Sequence, residues 1–538
     1  MGEAIVIKLK HLVVISALFG AVALTGFDGN QYWHDVRFTY GAAKFGIEEL
    51  ADGKFNPDQL GGEIDEPASG GFYIAKILHI ILIKGIFLLV PPHEGGFVVC
   101  AWALIGVFYL TVLGSYVFYQ HMLHDDRLAL FSTICLVLAP ISGYLAGKVL
   151  AETLSLFLLT GGLTLVVIGL DKTGRRWAIW ALFGGILLLG ATLARVDILI
   201  SVVGFLLALL LVGNAEQRAR LLIMLTVGAA SWLVAYAFFV SLFGGGIEKL
   251  AAYFLSFVQS ERKNVLMSIV GVLTFGGIVY ILGLVGAFHT EKRRWGIFAI
   301  WFGISAGISI AITQNFMVEP RYLVPGLLAL GGCGGFGVAY VLNRIKFRIL
   351  RLGVTIVGLG VVLVINWVVY GIMPYELNRF SITKAVAMIN GHASDPAILI
   401  PWSYTDFHFL SMVRPDLDLY NVNSLIKEER RVEVGREWKK RLVGWYGDRY
   451  LSNDNQIDEL LDKQDVFYLG WGKYPPLDKA MSLAKRIGMT GIAGTLARLP
   501  MKNHLGESWL WHSSHYELSL VGETGQYRYY RVKARERK

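Results

Sequence analysis

Apolar runs about twenty residues long, with Lys and Arg gathered at alternate ends, restrict this chain more than any other feature. A hydrocarbon core of roughly 30 Å takes about 20 mostly apolar residues per helix. Runs near 11–27, 97–120, 128–146, 152–170, 177–194, 197–213, 221–243, 266–288, 295–313, 323–342 and 352–373 meet that length. Their alternate ends carry Lys8/Lys10, Arg127, Lys172/Arg175/Arg176, Arg218/Arg220, Lys292/Arg293/Arg294 and Arg344/Lys346/Arg348/Arg351. Eleven spans with the amino terminus inside satisfy the positive-inside rule at every turn. The segment after Phe27, the turns at Glu152 and Glu319 and the C-terminal residues then share the outer face.

The run 72–91 is long enough to cross, but counting it would put every later basic cluster outside. Lys76, His79 and Lys84 interrupt it, and a charge at the bilayer centre costs about 2.5–3.5 kcal/mol on insertion scales. It reads as a helix in the outer interface with its Lys stems snorkelling.

With 54% hydrophobic residues and 61 glycines in 538, the chain is a polytopic α-helical membrane protein, not a soluble globule. The net charge of +9 sits in short clusters at span ends and forms no basic domain, so nucleic acid is not an expected partner. Cys100, Cys135 and Cys333 all fall inside spans, which leaves no disulfide framework and no CxxC metal site. Ala21-Val22-Ala23 imitates a signal cleavage site, but the long apolar stretch reads as an uncleaved anchor. The chain has no Asn-x-Ser/Thr acceptor, which leans toward a prokaryotic cytoplasmic (inner) membrane.

Charged residues on the outer face are the candidates for chemistry. Residues 28–71 hold nine acids against Arg37, Lys44 and Lys54, and open with Asp28, Tyr32, Trp33 and Asp35 at the mouth of the first span. Lys148 and Glu152 stand four residues apart, the spacing of an ion pair on one helix face. Arg195 and Asp197 form a charged pair between two short apolar runs, as snorkelling at a tight turn would. Arg321 and Tyr322 follow Pro320 at a span entrance, and the planar guanidinium matches phosphate through paired hydrogen bonds. Together these acids and arginines ring one outer mouth, where a lipid-linked phosphate would arrive.

Residues 375–538 read as a small α/β domain outside the membrane. Helical periodicity in Ile382–Ile389 precedes a strand at Ala397–Ile400, a helix near Asp406–Val413 and a strand near Leu417–Val422. Val466–Leu469, a helix near Leu477–Ile487 and a terminal strand Tyr527–Val532 complete it. It has no Gly-rich phosphate loop and no His-x-x-x-His pair, so it assists binding more than chemistry.

These residues resemble the glycosyltransferase C superfamily, in the branch of protein O-mannosyltransferases and the lipid A aminoarabinose transferase, over most of the chain. Asp28 with Tyr32 is similar to the Asp-Glu-x-x-Tyr opening of that family, with Gly29 in place of the second acid. Glu152-Thr153-Leu154 resembles its Glu-Thr/Ala-Leu element, and Arg321-Tyr322-Leu323-Val324-Pro325 its Arg-Tyr-Leu-x-Pro element. The family's Lys/His-Pro-Pro-Leu is reduced to Glu66-Pro67-Ala68-Ser69. The resemblance implies a catalytic membrane domain over 1–374 that transfers a sugar from a polyprenyl phosphate to a lipid, glycan or protein hydroxyl. The transfer is inverting and needs no metal, though a divalent cation stays open. Asp28 and Glu152 are the implied catalytic residues, with Asp28 as general base. Tyr32, Asp35, Lys76, Lys148, Arg195, Arg321 and Tyr322 would bind substrate, and the polyprenyl tail would lie on the bare Gly332-Cys333-Gly334-Gly335 face.

Two readings of another class remain open. A lipid-linked sugar flippase would use the same basic groove without Asp28, although no duplicated pair of broken half-helices marks an inverted repeat. An O-antigen-type polymerase or ligase would carry its large domain between spans, whereas here it is terminal.

Overall fold

The computed structural model describes residues 7–26, 76–91, 96–147, 149–172, 176–212, 215–242, 275–313, 320–347, 396–400, 417–422, 454–471, 516–524 and 527–535, with a few isolated positions besides. They form a helical unit and a sheet unit. In chain order the helical unit contains α1 (Leu9–Gly26), α2 (Ile77–Leu89), α3 (Gly96–Leu123), α4 (Asp126–Leu138), α5 (Pro140–Gly147) and α6 (Ala151–Leu170). It continues with α7 (Arg176–Ala194), α8 (Leu199–Val212), α9 (Ala215–Leu242), α10 (Ile278–Val285), α11 (Lys292–Thr313) and α12 (Leu327–Arg344). Short 3₁₀ turns at Val196–Ile198 and Pro320–Gly326 lead into α8 and α12.

Among the described residues, five helices are long and apolar enough to cross a membrane: 96–123, 151–170, 176–194, 292–313 and 321–344. A sixth is added if α4 and the first seven residues of α5 are one broken span, bent by 69°. Of the other expected spans, 11–27 and 197–213 coincide with shorter apolar helices, 266–288 contains one over 278–288, 221–243 matches α9, and 352–373 lies outside the described residues but for isolated positions.

The break between α4 and α5 follows from Pro140. Proline has no N–H for the carbonyl four residues back and pushes the preceding residue out of the helical region. Ala139 accordingly has φ −59° and ψ 129°. The stranded Leu136 carbonyl is recovered by the Ser142 hydroxyl, which donates to it at 2.5 Å.

Helix α1 runs antiparallel to α3: His11 Nδ1 meets the Tyr116 hydroxyl at 2.8 Å, Ser16 meets that of Tyr109 at 2.7 Å, and Phe19 packs on Phe108 and Tyr109. The end of α1 and the start of α3 therefore share one end of the unit. The 13 residues of α2 rise only about 20 Å, too short for the ~30 Å core. Ile77, His79, Ile80, Ile83 and Phe87 form its buried face. Lys84 is exposed as snorkelling requires, but Lys76 is buried at 8% exposure.

The basic clusters gather at the opposite end, where they cap helix C-termini. Carbonyls in the last turn of a helix have no partner within it and carry partial negative charge. Arg220 donates to the Leu170 and Lys172 carbonyls at 3.2 and 2.7 Å, closing α6. Arg293 reaches Val212 O at 3.0 and 2.6 Å, and Arg294 reaches Leu123 O at 2.7 Å, closing α8 and α3. Lys8 pairs with Asp126 across 2.5 Å at the same end.

The glycine-rich helix α12 is buried along most of its length. A methyl at Gly331 would meet the Tyr119 hydroxyl at 2.6 Å, one at Gly334 the Cys135 sulfur at 2.9 Å, and one at Gly337 the Leu282 carbonyl. Phe298 and Ser132 occupy the same space at Gly332 and Gly335. The bare face expected to receive a polyprenyl tail is thus filled by α3, α4, α10 and α11. Small residues let helix backbones approach where lipid supplies no hydrophobic drive.

The sheet unit has β1 (Ala397–Ile400), β2 (Asp418–Asn421), β3 (Val466–Trp471), β4 (Tyr516–Thr524) and β5 (Tyr527–Ala534), in the order β2-β1-β3-β5-β4, with helix Asp454–Leu461 before β3. β1 pairs in parallel with β2 and β3, while β5 is antiparallel to β3 and β4. Strands β1, β2, β3 and β5 fall where alternation places them, and β4 and helix 454–461 add to the expectation. The expected helices near 406–413 and 477–487 lie outside the described residues.

Candidate functional site

The end of the helical unit opposite the basic caps carries a buried ion cluster. Leu150 starts α6 in extended geometry, with φ −123° and ψ 145°, and supplies no side-chain cap. Glu152 falls in the first turn, where a carboxylate complements the helix dipole. Arg195 ends α7, its N–H donating to the Ala191 carbonyl, and its extended backbone (φ −163°) turns the chain into the 196–198 turn. That turn presents Asp197 back to the same guanidinium.

Arg195 takes Asp197 bidentately, Nε to Oδ1 at 2.6 Å and Nη2 to Oδ2 at 2.7 Å, while Nη1 donates to Glu152 Oε1. Side-chain exposure is 1% for Glu152, 8% for Arg195 and 17% for Asp197. Planar Arg with two carboxylates is the geometry in which a buried charge is tolerated, and here each guanidinium nitrogen finds an acceptor. Among the described residues, these three side chains set two carboxylates against one guanidinium.

The 320–326 turn packs against α5, α6, the 196–198 turn, α8 and α11. It brings Arg321 and Tyr322 to this end. The Arg321 guanidinium lies 5.1 Å from the Tyr322 ring centre, and Nη2 reaches the phenol oxygen at 3.3 Å. Helix α2 packs on α7, Leu78 approaching Gly190, a little over one turn before Arg195. Buried Lys76 precedes that contact by two residues.

The structure therefore unites Glu152 with Arg195 directly and sets Arg321 and Tyr322 on an element packed against both of theirs. Asp28, Tyr32, Asp35 and Lys148 lie outside the described residues. Two expectations are corrected. Glu152, expected to pair at i,i+4, takes Arg195, 43 positions away, residues 149–150 before it are non-helical, and Lys148 lies outside the described residues. The Arg195–Asp197 pair does not snorkel; it is buried with a third partner. The sequence marked Asp197 as one half of a charged pair but gave it no place among the candidate site residues. Among the described residues, no group of three or more His, Cys, Asp or Glu side chains is arranged to hold a metal ion.

No protein-family model and no curated protein matches the chain. Among solved structures it is similar to ArnT from Cupriavidus metallidurans bound to undecaprenyl phosphate, at 13% identity over 97% of both chains with a TM-score of 0.53. The same enzyme in the apo state aligns at 14% identity and TM-score 0.52 over the same shares. The archaeal oligosaccharyltransferase AglB from Archaeoglobus fulgidus aligns more loosely, at 11% identity and TM-score 0.46 over 86% of this chain and 69% of that one. The chain shares the fold of ArnT, the lipid A aminoarabinose transferase and a glycosyltransferase C member, so the expected resemblance is borne out at the level of fold.

Proposed function

From the glycosyltransferase C fold as premise, we propose that this protein is an integral-membrane, inverting glycosyltransferase that moves a sugar from a polyprenyl phosphate to an acceptor hydroxyl. The observation that carries the reading is the buried Glu152–Arg195–Asp197 cluster, packed beside the turn that bears Arg321, at the end of the bundle away from the basic caps. Charged groups withdrawn from water at one mouth of a helical bundle are costly and mark functional sites.

In the proposed reaction the acceptor oxygen attacks the anomeric carbon, its proton passes to Asp28, and the bond from that carbon to the phosphate oxygen breaks. The polyprenyl phosphate leaves as a monoester with added negative charge. Fixed cations stabilise that charge where it develops, a role for Arg321, with Lys76 and Lys148 as further cations. Arg195, already neutralised by two carboxylates, is a poor phosphate ligand. Its part, and that of Glu152, is to hold the mouth in shape and offer carboxylate oxygens to sugar or acceptor hydroxyls. Tyr32, Asp35 and Tyr322 complete the substrate contacts. The 375–538 domain and the site face the extracytoplasmic side of a prokaryotic inner membrane in this scheme, with acceptors drawn from lipid, glycan or protein.

Purified protein incubated with a panel of labelled polyprenyl-phosphate sugars tests the reading. Acceptor-dependent appearance of sugar-free polyprenyl phosphate is the expected result. Movement of the intact lipid across proteoliposomes with no cleavage of any donor would replace transfer by transport.

A further inference from the structure

A second feature at the level of the ion cluster has no role in the scheme above. Trp232 and Tyr236 stand one turn apart on α9, their rings stacked with centroids 4.8 Å apart and planes 19° from parallel. Trp232 is anchored, its indole N–H donating to the Thr192 hydroxyl of α7 at 2.7 Å. Thr192 lies in the last turn of α7, three residues before Arg195.

Helices α7 and α9 run in the same direction. Arg220, near the start of α9, reaches Leu170 and Lys172, just before α7 begins at Arg176, and the Thr192–Trp232 bond joins them further on. From Thr192 to Arg195 the chain rises about 4.5 Å, and from Trp232 to Tyr236 about 6 Å. Tyr236 is thus level with Arg195 and its two carboxylates. There it is 3% exposed, and among the described residues its hydroxyl has no hydrogen-bond partner. A buried hydroxyl without a partner is disfavoured and uncommon. At the level of the proposed site, a partner that arrives with the substrate would account for it.

We propose that Tyr236, held in place by Trp232, is a sugar-recognition residue of the donor site, its hydroxyl bonding a ring hydroxyl of the transferred sugar and the aromatic pair walling that sugar's apolar face. The inference rests on the glycosyltransferase reading. The two carboxylates at this level can accept hydrogen bonds from a hydroxyl-rich ligand, and aromatic side chains present a rigid apolar body with a polar tip.

The test is Tyr236→Phe, with binding of the sugar donor that wild type turns over compared with binding of the same polyprenyl phosphate lacking sugar. We expect the variant to bind the sugar donor about tenfold more weakly, the scale of one lost hydrogen bond, and the sugar-free lipid as wild type does. Its ligand-free melting temperature should be unchanged or higher, since no bond within the protein is removed. A fall in that temperature would assign the hydroxyl a structural partner and overturn the proposal. Equal weakening for both lipids would move Tyr236 to the phosphate, and no weakening for either would remove it from the site. If wild type binds and cleaves no polyprenyl-phosphate sugar, the glycosyltransferase reading itself fails, and the sugar assignment with it.

Discussion

Arg195→Met is the most informative single change. It preserves much of the stem's volume and removes the only guanidinium bridging Glu152 and Asp197 among the described residues. Breaking a buried pair by deleting one partner costs about 3–5 kcal/mol, because an uncompensated charge stays behind. Glu152, at 1% exposure, cannot rehydrate in place, whereas Asp197, at 17%, regains some water. Most of the loss therefore belongs to Glu152, and Glu152→Gln in the Arg195→Met background should restore the larger part. Glu152→Gln alone should be mild, about 1–2 kcal/mol, since the amide oxygen still accepts from Nη1 and the bidentate Asp197 contact is intact. Thermal unfolding of the four proteins in one detergent forms a double-mutant cycle that isolates the pair. If Arg195→Met melted with wild type, or if Glu152→Gln were the worse single change, the cluster would not be the buried ion network described.

Three further outcomes are expected. Arg321→Ala should lose about 100-fold or more in turnover while still folded, and Arg321→Lys much less, because charge that develops on the leaving phosphate needs a fixed cation; steady-state rates on the labelled donor read this. Asp28→Asn should slow the chemical step by about 10²–10⁴-fold with lipid-donor binding nearly unchanged, and Asp35→Asn, at a substrate contact, should weaken binding while leaving the chemical step nearly unchanged; single-turnover rates distinguish them, and the reverse pattern would move the base to Asp35. Gly337→Ala should cost about 1–3 kcal/mol through overpacking on the Leu282 carbonyl, whereas Gly307→Ala, with no atom within 4 Å, should be neutral or stabilising; melting temperatures of the two variants compare them.

The helical bundle was legible because length, apolarity and charge at run ends are local properties of sequence. What escaped is what depends on partners far along the chain. Nothing in Gly332-Cys333-Gly334-Gly335 says whether lipid or protein covers it, and the structure covers it with Phe298, Val279, Cys135 and Ser132. Glu152 was visible as a charge at a span entrance, and local spacing offered only Lys148 as its partner. Its actual partner is 43 residues on. Tyr236 had no signal at all, since an aromatic residue in an apolar run is ordinary until its hydroxyl is found without a partner. In the sheet unit, strands with clear apolar alternation were readable, while β4, with Glu517, Ser519, Gly522 and Glu523 among its residues, was not.

The arginine caps also bear on how the chain is assembled. The C-terminus of α6 is closed by an arginine 50 residues downstream of Leu170, that of α8 by one 81 residues after Val212, and that of α3 by one 171 residues after Leu123. During synthesis each of these helix ends waits, its carbonyls dependent on water or lipid headgroups, until a later segment is made. Basic residues at the ends of apolar runs thus act as clasps that fasten earlier helices to later ones, so Arg294 completes a helix made long before it. A chain stopped before residue 294 would hold α3 in the membrane with that clasp missing.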